Sequence, residues 1–384
     1  MKIIQSYKLK LKPNKEQTIK LLQYFYEAKC LYNHVLSQKN IFEFDRKTKD
    51  IFKLNNKGEK VPVTLTIPSA IRGEVVRDIW ASIKKLSKIK KQGNTVGKLR
   101  YKSEINCLTL YKDASGYNII GNKLKIPGIK KNPISCLGTK QLKNAEIKSA
   151  KLIRSCGNFY IAIICKKEIK KHINTNKEVG IDMGIKDNIV LSSGEKINFS
   201  IGESEQIKKF QRKISKSRVG SNNRRKLRIN LQKANAKIAN RKREFVNQLV
   251  HKLDTNYDII VWQDELLAKW KKSKMKGFGR KIQHSCLGLF KEKLQQHMNI
   301  EPHRYIQLNH TLPTTQMCPA CGSLNKVSLS KREYSCDCGY QENRDIHAAK
   351  NMLVFAKKIY NIPQELGKFK SMEKKGSSNG SSNC

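Results

Sequence analysis

The sequence predicts an α+β protein of several domains, and three observations carry that expectation. At 384 residues the chain exceeds one ordinary domain. Apolar residues alternate with a period of two in residues 1–10 and again from 105 to 166, whereas the text between them has the three-and-four spacing of helices. Beyond residue 176 short apolar strands alternate with helical segments, the pattern of an α/β sheet.

The elements follow in order. IIQSYKLKLK alternates as a strand, and KPNKEQTIKLLQYFYEAKCLYNHVLSQ is an amphipathic helix after a Pro-Asn start. Helical text continues to about residue 100, with SAIRGEVVRDIWASIKKLSKIKK its clearest part. NCLTLY, YNII, KLKIP, EIKSAKLI and NFYIAIICKKE then form a small barrel or sheet, separated by the turns ASG, GN and SCGN. If residues 1–10 supply its first strand, the helical block 11–100 is an insertion. After the polar linker KKHINTNKE, VGIDMGIKDNIVLSSGEKI reads as two short strands joined by a turn. Lys208 to Arg243 holds 15 Lys or Arg and no acid, with an apolar stripe of Leu227, Leu231, Ala234 and Ile238 continued by Phe245, Leu249 and Leu253. That is a long helix with one buried and one cationic face, packed against the helix before it. YDIIVWQDE is a buried strand ending in acids; HSCLGLFKEKLQQHM follows as helix, HRYIQLN as strand and RDIHAAKNMLVFAKKIY as the last helix. The tail at 363–384 is low in complexity and expected to be disordered.

Lys plus Arg number 78 against 31 acids, a net charge of +47. Self-repulsion of that size opposes a compact fold unless a polyanion neutralises it, and nucleic acid is the commonest one. A solubilising surface would mix the two signs. No run of 18 apolar residues spans a membrane, and the N-terminus lacks a signal-peptide core, so a cytoplasmic protein without a membrane partner is expected.

Of eleven cysteines, seven are scattered singly and four cluster: Cys318 and Cys321 as C-x2-C, then Cys336 and Cys338 as C-x1-C. Four thiolates at this spacing favour one tetrahedral, structural Zn²⁺ with no open position for water. The shortened second pair leaves His347 as a possible substitute ligand. Three acids have a different character: Asp182 in GIDMG, Glu265 at the end of IIVWQDE, and Asp345 opening the last helix. Each alone has an ordinary use, as turn residue, solvated strand end or helix cap. Together at the carboxyl ends of strands, such carboxylates can hold Mg²⁺ against a phosphodiester.

GIDMGIKDNIVL, VWQDE, and the cysteine ribbon running into RDIHAAKNM resemble the three split parts of the RuvC-like nuclease of the TnpB family, transposon-encoded RNA-guided DNA endonucleases similar to miniature type V CRISPR effectors. KLKLKPNKEQ, Tyr32-Asn33 and AEIKSAKLIRSCGNFYIAIIC resemble that family as well, and the three acids stand 83 and 80 residues apart. The resemblance implies a wedge β-barrel (1–10 and 101–170), an inserted helical recognition lobe (11–100), an α/β, RNase H-like RuvC nuclease (176–312 and 341–362) and an inserted zinc ribbon (313–340). It further implies a guide RNA from the transposon end, one protein per guide RNA, and double-stranded target DNA read beside a short adjacent motif. Asp182, Glu265 and Asp345 would be the catalytic ligands of two Mg²⁺ ions. Lys208, Lys209, Arg212, Lys213, Arg224, Arg225, Arg228 and Arg241 would contact nucleic acid. Tyr24, Phe25 and Tyr26 could stack on bases, although their helical spacing favours core packing. A nuclease-inactive guided regulator and a transposase accessory protein are the competing readings.

The second motif departs from the family, where a strand is commonly followed by Glu-Asp-Leu; here Gln263-Asp264-Glu265-Leu266 stands in its place. Glutamine is a neutral, poor ligand for Mg²⁺. Strand alternation would put Glu265 on the same face as Gln263 and turn Asp264 away to fix the following turn.

Overall fold

A computed structural model describes residues 2–360 apart from 56–57, 112–116, 130–132, 169–171, 173, 272–277, 327 and 329–330; the tail expected to be disordered lies outside the described residues. The chain divides into two compact units, 1–170 and 171–384.

In the first unit, β1 (Lys2–Lys12) buries Ile3, Leu9 and Leu11 and turns its lysines outward, as its alternation predicts. α1 (Lys15–Leu36) starts at a capping box: Asn14 Oδ1 accepts from the Gln17 amide at 2.8 Å, and Gln17 Oε1 accepts from the Asn14 amide at 3.0 Å. Tyr24 and Phe25 are buried in the core, so only Tyr26 is open to a base; its ring lies under Lys29. The segment read as continuously helical contains a hairpin, β2 (Asp50–Leu54) with β3 (Lys60–Thr64), before α2 (Ser69–Lys91). DIFKL and KVPVT do alternate with period two, on either side of the sequence NNKG. Buried Glu27 accepts from the amides of Thr66 and Ile67, each at 2.7 Å, and so fixes the chain entering α2.

β4 (Cys107–Tyr111), β5 (Asn118–Ile120), β6 (Lys123–Lys125), β7 (Ile134–Leu137), β8 (Glu146–Ser155) and β9 (Asn158–Glu168) join β1 in an antiparallel sheet ordered β4-β8-β9-β1-β7-β6-β5. Among the described residues this is a half-barrel, open between β4 and β5. Cys156 (φ 52°) and Gly157 (φ 74°) form the two-residue turn of the β8–β9 hairpin, where the right-handed strand twist requires both residues at positive φ.

The second unit opens with β10 (Glu178–Met183), β11 (Ile189–Leu191) and β12 (Lys196–Ile197), followed by α3 (Glu205–Lys216) and α4 (Asn222–Asn256). β13 (Ile259–Gln263), α5 (Leu267–Lys271), α6 (Phe278–His284), α7 (Leu287–Met298), β14 (Tyr305–Leu308), β15 (Glu333–Ser335), β16 (Gln341–Asn343) and α8 (Arg344–Tyr360) complete it. The five-stranded sheet runs β12-β11-β10-β13-β14, with β10, β13 and β14 parallel. Both faces are covered, which accounts for the unbroken apolar run IIVW in β13. Val179, Ile181, Ile260, Trp262 and Tyr305 meet α4 and α7 on one side. Ile259, Val261, Ile306 and Leu308 meet Met352 and Ala356 of α8 on the other. Each such side chain contributes about 1.5–3 kcal/mol through burial.

Buried Arg304 satisfies all five guanidinium donors: Nη1 to Asp254 Oδ1 and Glu301 Oε2, Nη2 to the carbonyls of Asp254 and Tyr257, and Nε to the carbonyl of Asp258. It therefore caps the C-terminal end of α4 and joins it to the starts of β13 and β14. The long helix packs against the helix before it, as expected, but it begins only at Asn222: the basic stretch folds as α3 and α4, packed on each other across a turn. Leu227, Leu231, Ala234 and Ile238 are only half-buried there; full burial of the α4 stripe begins at Val246.

Gly180 sets the distance between α8 and the sheet. A Cβ on this residue would stand 1.8 Å from the Ala349 carbonyl oxygen, so helix backbone rests directly on strand backbone. Gly73, inside α2, has open space around the same position. Gly180→Ala should therefore destabilise the second unit by about 1–3 kcal/mol through overpacking. Gly73→Ala should stabilise the first by about 0.5–1 kcal/mol, because alanine loses less backbone entropy in a helix. Chemical denaturation of both variants checks the opposed signs, and stabilisation by Gly180→Ala would contradict the contact.

Candidate metal centre and carboxylate cluster

The four clustered cysteines come together as a metal-type donor set, with all four sulfurs within 4.8 Å of one another. Cys318 and Cys338 lie 3.6 Å apart, as do Cys321 and Cys336. Four sulfurs about 2.3 Å from one tetrahedral ion stand about 3.8 Å from each other, whereas a disulfide needs about 2 Å. The cluster is therefore compatible with one structural zinc. Ser323 lies 3.0 Å from Cys321 and 3.3 Å from Cys336, and Asn325 Nδ2 donates to Cys336 at 3.3 Å. The Ser323 hydrogen bond is the main reason that the Cys336 thiol is lowered to about 6 and the Cys321 thiol also falls, whereas Cys338, against its hydrogen bond with the Tyr340 backbone, is pushed up to about 12 by those with Cys336 and Cys318.

His347 is outside this set. It is buried in α8 and stacks on Tyr334 of β15 at 3.8 Å, while burial lowers it to about 4 and keeps it neutral. Its contribution is to seat the cysteine hairpin on α8. Asn351, one turn later, donates to the carbonyls of Thr314 and Met317 just before the first cysteine.

The three acids occupy one end of the sheet. Asp182 is next to last in β10, Glu265 follows the end of the parallel neighbour β13, and Asp345 is in the first turn of α8. Gly180 and Asp182 share a strand face, and Ala349 and Asp345 are one helical turn apart, so the contact that admits the helix also brings the two carboxylates together. Burial foremost, then the charge of Asp345 and of Glu265, pushes Asp182 up to about 8 against the opposing charge of Arg344. Burial likewise raises Glu265 to about 7, opposed by Lys291. An anionic, oxygen-only donor set under mutual repulsion suits a hard cation such as Mg²⁺. The grouping is looser than that of the thiols: among the described residues, only the cysteines gather three or more such donor atoms so tightly.

Asp345 does not cap its helix. Asn343 Oδ1 accepts the Asp345 amide at 3.2 Å, leaving the Asp345 carboxylate to Arg332 at 3.3 Å and Arg344 at 3.4 Å. Neither arginine was singled out from the sequence; Arg332 comes from the arm leading into β15 and has no local signature.

β13 stops at Gln263, so alternation does not carry through to Glu265. Gln263 is buried and committed to structure, donating to the carbonyls of Asn309 and Leu312 and accepting from Thr314 Oγ1. Asp264 forms an ion pair with Lys291 rather than fixing the turn through a backbone amide. Among the described residues the Glu265 carboxylate takes no hydrogen bond, and of the three side chains it alone adds to the field at Asp182.

Lys208, Lys209, Arg212, Lys213, Arg225, Arg228 and Arg241 are exposed on α3 and α4. Arg224 is different: its Nη1 donates at 2.7 Å to the carbonyls of Ile214 and Ser217, capping the end of α3. Lys208 pairs with Glu205.

Three family models match in chain order: "Helix-turn-helix domain" of OrfB/IS605 over residues 1–41, "Probable transposase" of the same family over 162–264, and "Cas12f1-like, TNB domain" over 288–352. Residues 1–41 and 162–264 thus match models of OrfB/IS605 (TnpB) family domains. Two relatives are each named "Putative RNA-guided DNA endonuclease": one from Streptomyces pristinaespiralis is 28% identical over 201 residues, covering 51% of this chain and 50% of its own. InsQ of Escherichia coli K12 is 26% identical over 227 residues, covering 54% and 56%. The chain thus spans about half the length of the curated relatives it matches. A solved Cas12f1–sgRNA–target DNA complex resembles this chain with a TM-score of 0.46 at 12% identity, covering 88% of this chain and 83% of that one. No described helix is long and apolar enough to cross a membrane.

Purified protein should carry about one zinc per chain. Cys321→Ser, which removes one of four ligands, should lose it and loosen the 318–338 hairpin. Elemental analysis of freshly reduced protein, with proteolysis of the hairpin as second readout, checks this; a metal-free parent protein would refute it.

Proposed function

We propose that this chain is a transposon-encoded, RNA-guided endonuclease that hydrolyses phosphodiester bonds of target DNA with Mg²⁺. The observation that supports this best is the gathering of Asp182, Glu265 and Asp345 at the end of one sheet, in a chain of net charge +47. The family domains and the names of the relatives support the guided form of the reaction. In this reading residues 176–312 and 341–362 are a RuvC-like, RNase H-type nuclease and 313–340 a zinc ribbon. Residues 1–10 and 101–170 are a wedge, and 11–100 a recognition lobe. One protein works with one guide RNA in the cytoplasm, on double-stranded target DNA.

The three carboxylates are the ligands for a pair of Mg²⁺ ions, which when bound supply Lewis-acid stabilisation of phosphodiester hydrolysis. The remaining work belongs to the chain itself. Arg332 and Arg344 hold the Asp345 carboxylate in place and bring positive charge to where a phosphate would lie. Burial around Asp182 keeps the local dielectric low, which strengthens each of these interactions. The exposed cations of α3 and α4 bind the nucleic-acid backbone, and Arg224, spent on the α3 cap, contributes only indirectly.

Asp182→Ala removes a metal-binding charge and leaves the basic helices untouched. Guided DNA binding should persist while cleavage falls by more than a hundredfold; a near-parental cutting rate would refute the acid centre. Within the second motif, Glu265→Gln should abolish cutting at saturating Mg²⁺, whereas Asp264→Asn and Gln263→Ala should leave it measurable. An active Glu265→Gln would reassign the ligand. Sequencing of RNA that copurifies with the protein tests the guide, and one abundant species is expected.

A further inference from the structure

The second acid sits on a turn, not on a strand, and a turn residue needs something to aim it. The Asp264 amide donates to the Leu308 carbonyl at 2.9 Å, the last rung of the sheet. The Glu265 amide then donates to the Gln263 carbonyl at 2.9 Å and the Leu267 amide to the Glu265 carbonyl at 3.0 Å, so the backbone reverses twice within five residues. On one side the turn is anchored by the Gln263 amide group. On the other, among the described residues, a single side chain holds it. Lys291, on α7, donates from Nζ to the Glu265 carbonyl at 2.8 Å and makes an ion pair with the Asp264 carboxylate. Its side chain is only 19% exposed, and its neighbours Leu287, Phe290 and Leu294 are buried under the sheet, so the ammonium is delivered from a fixed helix.

We propose that Lys291 is a positioning residue: by gripping the Glu265 carbonyl and the Asp264 carboxylate together, it aims the Glu265 carboxylate at Asp182 and thereby sets the affinity of the acid centre for its divalent cation. The inference rests on the acid centre proposed above. It explains a combination that is otherwise odd, a half-buried cation beside a site for cations. Simple electrostatics gives the opposite expectation, because deleting a nearby positive charge, and freeing Asp264, strengthens cation binding. The two accounts therefore differ in sign.

The test is Mn²⁺ binding to the RNA-free full chain, followed by the paramagnetic resonance of free Mn²⁺. Lys291→Met should weaken the site at least fivefold, and Lys291→Arg, which keeps charge and both contacts, should stay within twofold of the parent. In cleavage assays the same substitution should raise the half-saturating Mg²⁺ concentration more than it lowers the rate at saturation. Unchanged or tighter Mn²⁺ binding by Lys291→Met overturns the proposal. If Lys291→Met does not fold, Lys291→Gln removes the same charge and the same ion pair, and the same two outcomes decide. Asp182→Ala is the control: it should lose the site altogether. Retention of the site by Asp182→Ala refutes the acid centre itself, and the role of Lys291 with it, whereas loss in Asp182→Ala beside an intact site in Lys291→Met refutes only Lys291.

Discussion

The direct contact between the Gly180 backbone and the Ala349 carbonyl is the constraint on which the second unit depends. A side chain at that strand position would hold α8 off by the width of a methyl group or more, and everything α8 carries would move with it. Asp345 would recede from Asp182, and the repulsion that adds to burial in pushing Asp182 up to about 8 would weaken. The apolar contacts of Met352 and Ala356 with β13 and β14 would open as well. One missing Cβ thus couples core packing to the chemistry of the site.

α8 also answers why a thiol knuckle and a solitary acid stand so close in sequence. β16 runs without interruption into the helix, Asn343 caps it, and Asp345 follows. Tyr334 and His347 then stack, and Asn351 ties down the chain before Cys318. The hairpin returns the favour through Arg332, which reaches back to the Asp345 carboxylate. Organisation of the thiols and of the third acid is therefore one structural problem with one scaffold.

Much of this was legible because period and residue type coincide with the burial that later enforces them. β1, α1, β10, β13 and α8 are visible as alternation, caps and apolar stripes. The four cysteines need only their spacing. The β2–β3 hairpin was missed because two five-residue strands sit inside helical surroundings, and Ile51 is the only buried residue on β2. The end of β13 at Gln263 was also not legible, since the residues that stop it, the 309–314 segment and Lys291, are distant in sequence. Arg224 looked like one more cation in a basic run. Only the placement of the α3 C-terminus shows that its guanidinium is already occupied, and the same holds for the roles of Arg332 and Lys291, which no local pattern marks.

α4 is 35 residues long, about 52 Å at 1.5 Å per residue. Its last third is bolted into the core by Val246, Leu249, Val250 and Leu253 and locked at the tip by Arg304, while its half-exposed first half packs along α3. Mechanically it is a cantilever. A load applied at Arg225 or Arg228 acts on a long arm, and its torque is felt where the helix is clamped against the strands that carry the acids.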